Sequence, residues 1–261
     1  MASRPPKGQI YDSVASDYDI IWSTPACKIL FPLLDDNLRR EGPWEGASVL
    51  DLACGTGFGL REMKKLGATK LVGVDISDEM LGVAKQVSPD AGFELHHADC
   101  SQPLSHLPLE EGSFDLVLAM WLLNYPDSRA AIAGMWKNIA TYLKKGSKFI
   151  GIIQNQDNVH PSCMQGKLKE FGVEESNFRQ LPSGDGVQMH IVFDTEPVVE
   201  FDTFVLKKHI FEEEAKKAGF KDLRYVRAGD EVRKEVEGKS EEWWKELLEE
   251  YPNQVVIAVK E

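Results

Sequence analysis

The chain has 261 residues, a formal net charge of −12 and a hydrophobic content of 43%. This composition supports one sizeable folded core and excludes an intrinsically disordered chain. The negative charge disfavours partners with a phosphate backbone, and no apolar run approaches the ~20 residues that span a bilayer, so neither nucleic acid nor a membrane is expected as a partner.

The cysteines give no sign of a metal or disulfide framework. The four of them are scattered along the chain and form no C-x-x-C pair. We therefore expect no metal site and no structural disulfide. The N-terminal stretch lacks the apolar core of a secretory signal, and a cytoplasmic location is expected.

Residues 9–40 are predicted to form an N-terminal helical cover. Apolar residues recur at helical spacing from Gln9 to Trp22, which predicts one amphipathic helix. A second helix is predicted over residues 25–40, because Pro25 is favourable near a helix start. The stretch "EGPWEG" then separates this cover from the rest of the chain.

From Ser48 onward the predicted strands and helices alternate. The strand candidates are Ser48–Leu52, Lys70–Val74, Phe93–His97, Phe114–Ala119, Phe149–Ile153, Asp222–Val226 and Gln254–Val259. The helix candidates are Phe58–Lys65, Ser77–Val87, Ser128–Lys144, Phe211–Lys217 and Glu241–Tyr251. This alternation predicts an α/β fold, a Rossmann-like, mostly parallel seven-stranded sheet with helices on both faces. Ligands of such sheets bind at the carboxyl ends of the strands.

Residues 154–208 interrupt the alternation. They contain two predicted strands, Val187–Phe193 and Val198–Lys207. We interpret this stretch as a lid inserted into a single domain, 1–261, whose core spans residues 45–153 and continues over residues 209–261. The alternative is an additional sheet edge with no role in the active site.

The stretch "VLDLACGTGFG" places a glycine-rich turn directly after a predicted buried strand. Such turns bind dinucleotides or S-adenosylmethionine. A dinucleotide fingerprint requires G-x-G-x-x-G, but after Gly55 and Gly57 the third glycine is Gly59, one position early. Asp51 lies within the strand, where a carboxylate can pair with the ammonium group of S-adenosylmethionine. These two features favour S-adenosylmethionine over NAD.

The motif "LDLACGTG" resembles the first motif of the class I S-adenosylmethionine-dependent methyltransferases. The later motifs "LVGVDIS", "HHADC" and "FDLVLAMWLLNY" follow in the order of that family. The N-terminal "YDSVASDYD" resembles a segment of the ubiquinone- and toxoflavin-type small-molecule methyltransferases. The resemblance covers roughly residues 9–153, and no family motif is recognised in residues 154–208.

The resemblance implies a set of site residues. Asp75 would accept hydrogen bonds from the ribose hydroxyls, and Asp99 would lie near the adenine amino group or, alternatively, cap a helix. The cofactor residues expected are Tyr18, Asp51, Ala53, Gly55, Gly57, Asp75, Ile76, Met80, Asp99, Cys100 and Ala119. The substrate residues expected are Tyr11, Trp121, Asn124 and Tyr125. The catalytic candidates are Tyr18, as a positioning group, and His160 and His190, as general bases.

Methyl transfer from a sulfonium is an in-line displacement, and the enzyme has mainly to hold donor and acceptor close, in line and dry. This explains why no Ser-His-Asp order or metal cluster stands out. We therefore predict a methyltransferase that acts on a small molecule at N, O or C, as a monomer or homodimer. The alternatives are an S-adenosylmethionine-binding enzyme with a non-methylating reaction, a protein methyltransferase and a non-catalytic binding subunit.

Overall fold

The computed structural model describes residues 9–156 and 168–261, and three of these, Gln9, Ile10 and Glu250, have no described side-chain environment. The strands are β1 Ser48–Leu52, β2 Lys70–Asp75, β3 Glu94–His97, β4 Phe114–Met120, β5 Leu143–Gln154, β6 Val173–Gln180, β7 Gly186–Phe193, β8 Val199–Leu206, β9 Arg224–Val226 and β10 Asn253–Val259. The α-helices are α1 Gln9–Asp12, α2 Pro25–Glu41, α3 Phe58–Lys65, α4 Asp78–Val87, α5 Arg129–Tyr142, α6 Lys208–Lys217 and α7 Glu241–Glu250. Short 3₁₀ helices are Tyr18–Ser23, Leu122–Asn124, Lys169–Phe171 and Asp230–Glu235.

Within the described residues, seven strands form one sheet in the order β3-β2-β1-β4-β5-β10-β9. The five strands from β3 to β5 run parallel, and β10 runs antiparallel to both of its neighbours. The predicted Rossmann-like, mostly parallel seven-stranded sheet is confirmed. β1 is the central one of the five parallel strands, so the glycine-rich turn that follows it lies between the ends of β2 and β4.

Both faces of the sheet are buried. Successive side chains of a strand point to opposite sides, so neighbouring residues of β1 belong to different apolar clusters. In β1, Val49 joins the apolar cluster that contains Leu30 and Leu34 of α2. The next residue, Leu50, joins the other cluster, which contains Trp136 of α5 and Phe211 of α6. Helices therefore cover both faces, as predicted.

Side-chain caps fix where the helices begin. The hydroxyl of Ser77 accepts a hydrogen bond from the Met80 amide at 3.1 Å, and that of Ser128 accepts one from Ala131 at 3.3 Å. Both serines were predicted as the first helical residues and are instead the N-caps, which have extended backbone. α5 also ends earlier than predicted, at Tyr142, because β5 begins at Leu143.

The prediction of one helix from Gln9 to Trp22 is wrong. α1 ends at Asp12, a turn follows, and Tyr18–Ser23 is a 3₁₀ helix. The cause is tertiary, because Asp19 accepts hydrogen bonds from the Thr56 hydroxyl at 2.6 Å and from Arg61 at 3.1 Å. The second helix of the cover, α2, agrees with the prediction.

A separate antiparallel sheet, which we call the second sheet, consists of β6, β7 and β8 with β7 in the centre. β7 and β8 correspond to the two predicted strands, whereas β6 was not predicted. The second sheet is tied to the main one where the Thr203 hydroxyl donates to the Asn124 carbonyl at 2.8 Å. Part of the predicted lid, residues 157–167, lies outside the described residues.

None of the described helices has the length and apolarity that a membrane crossing requires.

Two helix glycines give opposite expectations for alanine. A Cβ at Gly134, in α5, would lie 2.2 Å from the carbonyl oxygen of Ser101, whereas a Cβ at Gly82, in α4, would meet nothing within 4 Å. We expect Gly134→Ala to lower the free energy of unfolding by about 1–3 kcal/mol through overpacking. Gly82→Ala should raise it by about 0.5–1 kcal/mol through helix propensity. Urea denaturation of both variants checks this, and a stabilising Gly134→Ala would contradict the close approach of α5.

Candidate active site

A deep cleft opens at the carboxyl ends of the parallel strands, where sheets of this kind bind ligands. Its empty space, including the part that is open to solvent, is about 1080 Å³. Its walls come from the glycine-rich turn, the N-terminal segment, the ends of β2, β3 and β4, α5 and the second sheet. The described residues that line it are Tyr11, Tyr18, Asp19, Trp22, Ala53, Cys54, Gly55, Thr56, Phe58, Asp75, Ile76, Met80, Ala98, Asp99, Cys100, Met120, Trp121, Leu122, Tyr125, Met135 and Asp202.

The turn after β1 has a backbone conformation that side chains rarely adopt. Ala53, Gly55 and Gly57 have φ angles of 60°, 52° and 79°, in the left-handed region that favours glycine. A Cβ at Gly55 would meet nothing within 4 Å. Conformation rather than crowding therefore requires glycine there, and the turn presents an open face to the cleft.

The third glycine of the motif, Gly59, is required by crowding rather than by its backbone conformation. A Cβ at Gly59, in the first turn of α3, would lie 2.3 Å from Met120 Cε and 2.6 Å from Asp51 Oδ2. Glycine lets α3 pack directly against the ends of β1 and β4. Its early position in the motif thus reflects packing of the helix on the sheet.

Asp75 ends β2 and organises the base of the cleft. Its Oδ2 accepts a hydrogen bond from the Gly55 amide at 2.8 Å, and its Oδ1 accepts one from the Ser77 amide at 2.9 Å. Burial raises the pKa of this carboxyl, and the backbone amides oppose that shift. A carboxylate has about four acceptor positions, so Asp75 can accept further hydrogen bonds from a ligand.

Asp51 lies behind the turn and does not line the cleft. The residue is fully buried, and neither of its carboxylate oxygens has a hydrogen-bond partner. Burial, with a smaller contribution from the charge of Asp75, raises the pKa of Asp51 to about 8. Its pairing with an ammonium group of the cofactor stays a prediction.

The N-terminal segment is anchored over the cleft at two points. Asp19 binds Thr56 and Arg61, whose guanidinium also donates to the Thr56 carbonyl at 2.6 Å. Asp12 accepts a hydrogen bond from the Ser77 hydroxyl at 2.6 Å. These contacts tie the segment to the glycine-rich turn and to the start of α4.

Six aromatic rings form much of the cleft wall: Tyr11, Tyr18, Trp22, Phe58, Trp121 and Tyr125. Trp22 stacks on Phe58 with centroids 4.4 Å apart, and Tyr11 packs edge-on against Tyr125 at 5.7 Å. Burial raises the pKa of Tyr11 and of Tyr18 well above the usual value of 10.0. These two hydroxyls therefore stay protonated near neutral pH and do not serve as bases.

Trp121 holds an uncommon backbone conformation at the end of β4. Its φ angle is 63°, which is an outlier for a bulky residue and is characteristic of functional sites. The indole nitrogen donates to Asn253 Oδ1 at 3.1 Å, and the ring lies 5.5 Å from that of Trp22. These contacts fix the indole against the cleft.

The second sheet contributes one acidic side chain to the cleft, Asp202 of β8. Its Oδ1 lies 2.9 Å from His190 Nδ1, and its Oδ2 accepts a hydrogen bond from Gln188 at 3.0 Å. Next to it, Phe201 packs on Tyr11 with centroids 5.7 Å apart. His190 itself does not line the cleft and reaches it only through Asp202.

The charge of the cleft is of one sign. Four carboxylates line it (Asp19, Asp75, Asp99 and Asp202), and its described lining includes no lysine, arginine or histidine. An acidic cavity with aromatic walls favours cations and disfavours anions.

Comparison with known proteins finds relatives for part of the chain. Residues 49–146 match the profile of a methyltransferase domain. A demethylmenaquinone methyltransferase of Oceanobacillus iheyensis is 30% identical over 153 residues, which cover 56% of this chain and 61% of the relative. An mRNA cap guanine-N(7) methyltransferase of Caenorhabditis elegans is 29% identical over 187 residues, which cover 63% of this chain and 49% of the relative.

The fold has relatives among solved structures. A protein of Pyrococcus horikoshii OT3 superposes with a TM-score of 0.61 at 20% identity, over 88% of this chain and 89% of the other. An S-adenosylmethionine-dependent methyltransferase of Mesorhizobium loti shares the fold as well, with a TM-score of 0.58 at 20% identity over 86% of this chain and 96% of the other. The chain spans 61% of the length of the demethylmenaquinone methyltransferase and 49% of the length of the mRNA cap methyltransferase.

Most of the site residues expected from the sequence surround the cleft. Of the cofactor candidates, the cleft brings together Tyr18, Ala53, Gly55, Asp75, Ile76, Met80, Asp99 and Cys100; of the substrate candidates, it brings together Tyr11, Trp121 and Tyr125. Asp99 also orders its own loop, because its Oδ1 accepts hydrogen bonds from the Ser101 amide and hydroxyl at 2.8 and 2.7 Å.

Other candidates lie away from the cleft wall. Gly57 and Ala119 lie near it without lining it. Asn124 faces a second, smaller cavity, and its Oδ1 accepts a hydrogen bond from the Gln154 amide at 3.1 Å. His160 lies outside the described residues.

Ten lining residues were not among the site residues expected from the sequence. They are Asp19, Trp22, Cys54, Thr56, Phe58, Ala98, Met120, Leu122, Met135 and Asp202. Asp19 belongs to the N-terminal motif "YDSVASDYD" and could have been found there. Asp202 lies in an alternating strand pattern in which a polar residue is expected to face solvent. In the described residues no group of three or more His, Cys, Asp or Glu side chains is placed to hold a metal ion.

The raised pKa of Asp51 makes stability depend on pH. In the folded protein this carboxyl keeps its proton up to about pH 8, whereas the ordinary value is 3.8. Between these values the folded state binds more protons than the unfolded state, so stability falls as pH rises, by up to about 1.4 kcal/mol per pH unit. We expect Asp51→Asn to flatten this decline in the ligand-free protein, measured by urea denaturation from pH 5 to pH 8.

The matched control for Asp51→Asn is Asp36→Asn, since Asp36 is exposed on α2. The control should leave the pH slope unchanged. A wild-type slope in Asp51→Asn would show that the buried carboxyl is ionised in the ligand-free protein.

Proposed function

We propose that the protein transfers the methyl group of S-adenosylmethionine to a small-molecule acceptor. The observation that carries this proposal is a single cleft with two chemically different halves. One half, at the glycine-rich turn, has the groups that adenosine requires. The other half, under the N-terminal segment and the second sheet, is aromatic and acidic.

The cofactor half can be assigned from its acceptors. Asp75 would accept hydrogen bonds from the ribose hydroxyls, in addition to the two backbone amides that it already holds. Asp99 would accept from the adenine amino group, and Ile76 and Met80 would cover the adenine faces. The sulfonium would then lie beside the turn, with its methyl group directed toward the aromatic half.

The reaction is an in-line displacement, in which the acceptor's lone pair forms a bond to the methyl carbon as the carbon–sulfur bond breaks. The protein's contribution is to align the two reactants and to exclude water. The rings of Tyr11 and Tyr18 line the acceptor half, and both pack against Phe201. The acidic surroundings stabilise the sulfonium in the ground state, so proximity and orientation have to supply the rate.

A small-molecule acceptor is supported by the charge of the cleft. The two curated relatives differ in their named substrates, a demethylated menaquinone and an mRNA cap guanine. A capped RNA carries phosphates, and no lysine or arginine of the described lining would neutralise them, since the nearby Arg61 is already paired with Asp19. A small neutral or cationic acceptor meets no such barrier.

Proton removal is assigned to Asp202 rather than to a tyrosine. Both tyrosines of the N-terminal segment have raised pKa values, so they position the acceptor. Asp202 can accept a proton, and His190 holds its carboxylate at 2.9 Å. His190 is thus a positioning residue in this proposal.

Residues 154–208 act as the lid in this proposal. We assign the protein to the cytoplasm because of its scattered cysteines.

Isotope tracing tests the proposed function. The protein is incubated with S-adenosylmethionine carrying a deuterated methyl group and with separate metabolite, RNA and protein fractions of a cell extract. We expect the label in a low-molecular-mass product, together with S-adenosylhomocysteine. Label confined to RNA or to protein would overturn the small-molecule acceptor. Cofactor that binds without transferring its label would point to non-methylating chemistry.

Once that acceptor is known, single-turnover rates separate positioning from base catalysis. Tyr18→Ala should slow methyl transfer more than tenfold, because the ring fixes the acceptor. His190→Ala should slow it less than tenfold, since His190 acts through Asp202. The control is His106→Ala, which changes an exposed histidine that does not line the cleft. A loss above a thousandfold in His190→Ala, about 4 kcal/mol of barrier, would instead make general-base catalysis central.

A further inference from the structure

A second cavity lies between the main sheet and the second sheet. Its empty space, including the part that is open to solvent, is about 490 Å³. Tyr18, Trp121 and Tyr125 line both this cavity and the cleft. The two spaces therefore adjoin across one aromatic wall, on the acceptor side of the cleft.

A single carboxylate lines the second cavity, Glu175 of β6. The residue is only 2% exposed. Its Oε1 accepts a hydrogen bond from Gln154 Nε2 at 3.1 Å, whereas its Oε2 is buried with no hydrogen-bond partner. Burial raises the pKa of Glu175 to about 7. A buried carboxyl without a counter-ion is costly for folding, so its presence requires an explanation.

The unsatisfied atoms of this cavity are all acceptors. Besides Glu175 Oε2, the Oε1 atom of Gln154 is buried without a partner. The described lining contains no lysine, arginine or histidine that could supply the missing protons. Two other polar groups here are engaged, since Asn253 accepts from Trp121 and Thr203 donates to Asn124. Neither Glu175 Oε2 nor Gln154 Oε1 receives a hydrogen bond, although tyrosine hydroxyls also line the space. A positively charged donor would match the carboxylate.

The remaining walls also suit a cation. Aromatic rings of Tyr18, Trp121, Tyr125, Phe193 and Phe201 surround the space. Ring faces attract ammonium groups, and the attraction grows when water is excluded. A neutral apolar ligand would fill the volume and leave both acceptors unsatisfied.

We propose that the second cavity is an acceptor subsite, in which Glu175 binds an ammonium group of the methyl acceptor. This inference rests on the proposed methyltransferase function. The acceptor is then a bifunctional molecule that passes between the rings shared by the two spaces, with an amine anchored at Glu175 and a nucleophilic atom held in the cleft. Glu175 selects the substrate and takes no part in the chemical step.

Ligand-observed NMR titration tests the subsite with a matched pair of probes, 2-phenylethylamine and 2-phenylethanol, at pH 8. The two probes have the same shape and differ in charge. The wild-type protein should bind the amine at least tenfold more tightly than the alcohol. In Glu175→Gln, which keeps the shape and the contact with Gln154, the two affinities should agree within about threefold.

The control is Glu174→Gln, because Glu174 is the exposed neighbour on the same strand. It should keep the preference for the amine. Equal binding of both probes by the wild-type protein overturns the proposal. A preference that survives Glu175→Gln and is lost in Asp202→Asn also overturns it, since the amine would then bind in the cleft. If Glu175→Gln does not fold, Ile191→Phe replaces it, because it narrows the same cavity and should weaken amine binding at least tenfold.

S-adenosylhomocysteine binding, measured by calorimetry on the same samples, separates this inference from the proposed function. Binding of S-adenosylhomocysteine without amine preference rejects the subsite and leaves the methyltransferase proposal in place. Amine preference without S-adenosylhomocysteine binding rejects the methyltransferase proposal and supports a cation site at Glu175.

Discussion

The carboxylate of Asp75 is the contact on which the site depends. By accepting hydrogen bonds from the amides of Gly55 and Ser77, it joins the glycine-rich turn, the end of β2 and the start of α4. Ser77 extends the chain of contacts, because its hydroxyl caps α4 at the Met80 amide and donates to Asp12 of the N-terminal segment. One buried acid thus positions three cleft walls, and its location at the carboxyl end of β2, next to β1, is what allows this.

The electrostatics of the site follow from the same constraint. Acids collect at the carboxyl ends of the strands and on β8, and the described linings of both cavities include no basic side chain. A positively charged methyl donor and a positively charged acceptor group are the ligands that such walls attract. Two buried carboxyls have oxygens without a hydrogen-bond partner. Glu175 lies in the second sheet, and Asp51 lies behind the glycine-rich turn.

The core was predictable because local and tertiary signals agree there. β1 and α3 were predicted with their observed bounds, since strand residues buried on both faces form an apolar run and the glycine turn marks its end. The N-terminal segment was not predictable in the same way. The helical spacing of its apolar residues is overridden by the hydrogen bonds of Asp19 to Thr56 and Arg61, which hold Tyr18–Ser23 as a 3₁₀ helix.

The second sheet shows where sequence patterns did not predict the structure. In β6, "VEESNFRQ", a glutamate occupies a buried position, so the expected alternation of apolar and polar residues is absent and the strand was missed. Asp202 was passed over for the related reason that an acid in an alternating strand is expected to face solvent. Both exceptions lie where the structure places ligand cavities, which is where local rules are expected to fail.

Isothermal titration calorimetry with S-adenosylhomocysteine and with NAD tests the central claim most directly. The account predicts ~micromolar binding of S-adenosylhomocysteine, no detectable binding of NAD, and at least a tenfold loss of S-adenosylhomocysteine affinity in Asp75→Asn, about 1.4 kcal/mol for one weakened charged hydrogen bond. Asp90→Asn, at an exposed position, should bind like the wild-type protein. Tight binding of NAD, or an unchanged affinity for S-adenosylhomocysteine in a folded Asp75→Asn protein, would contradict it.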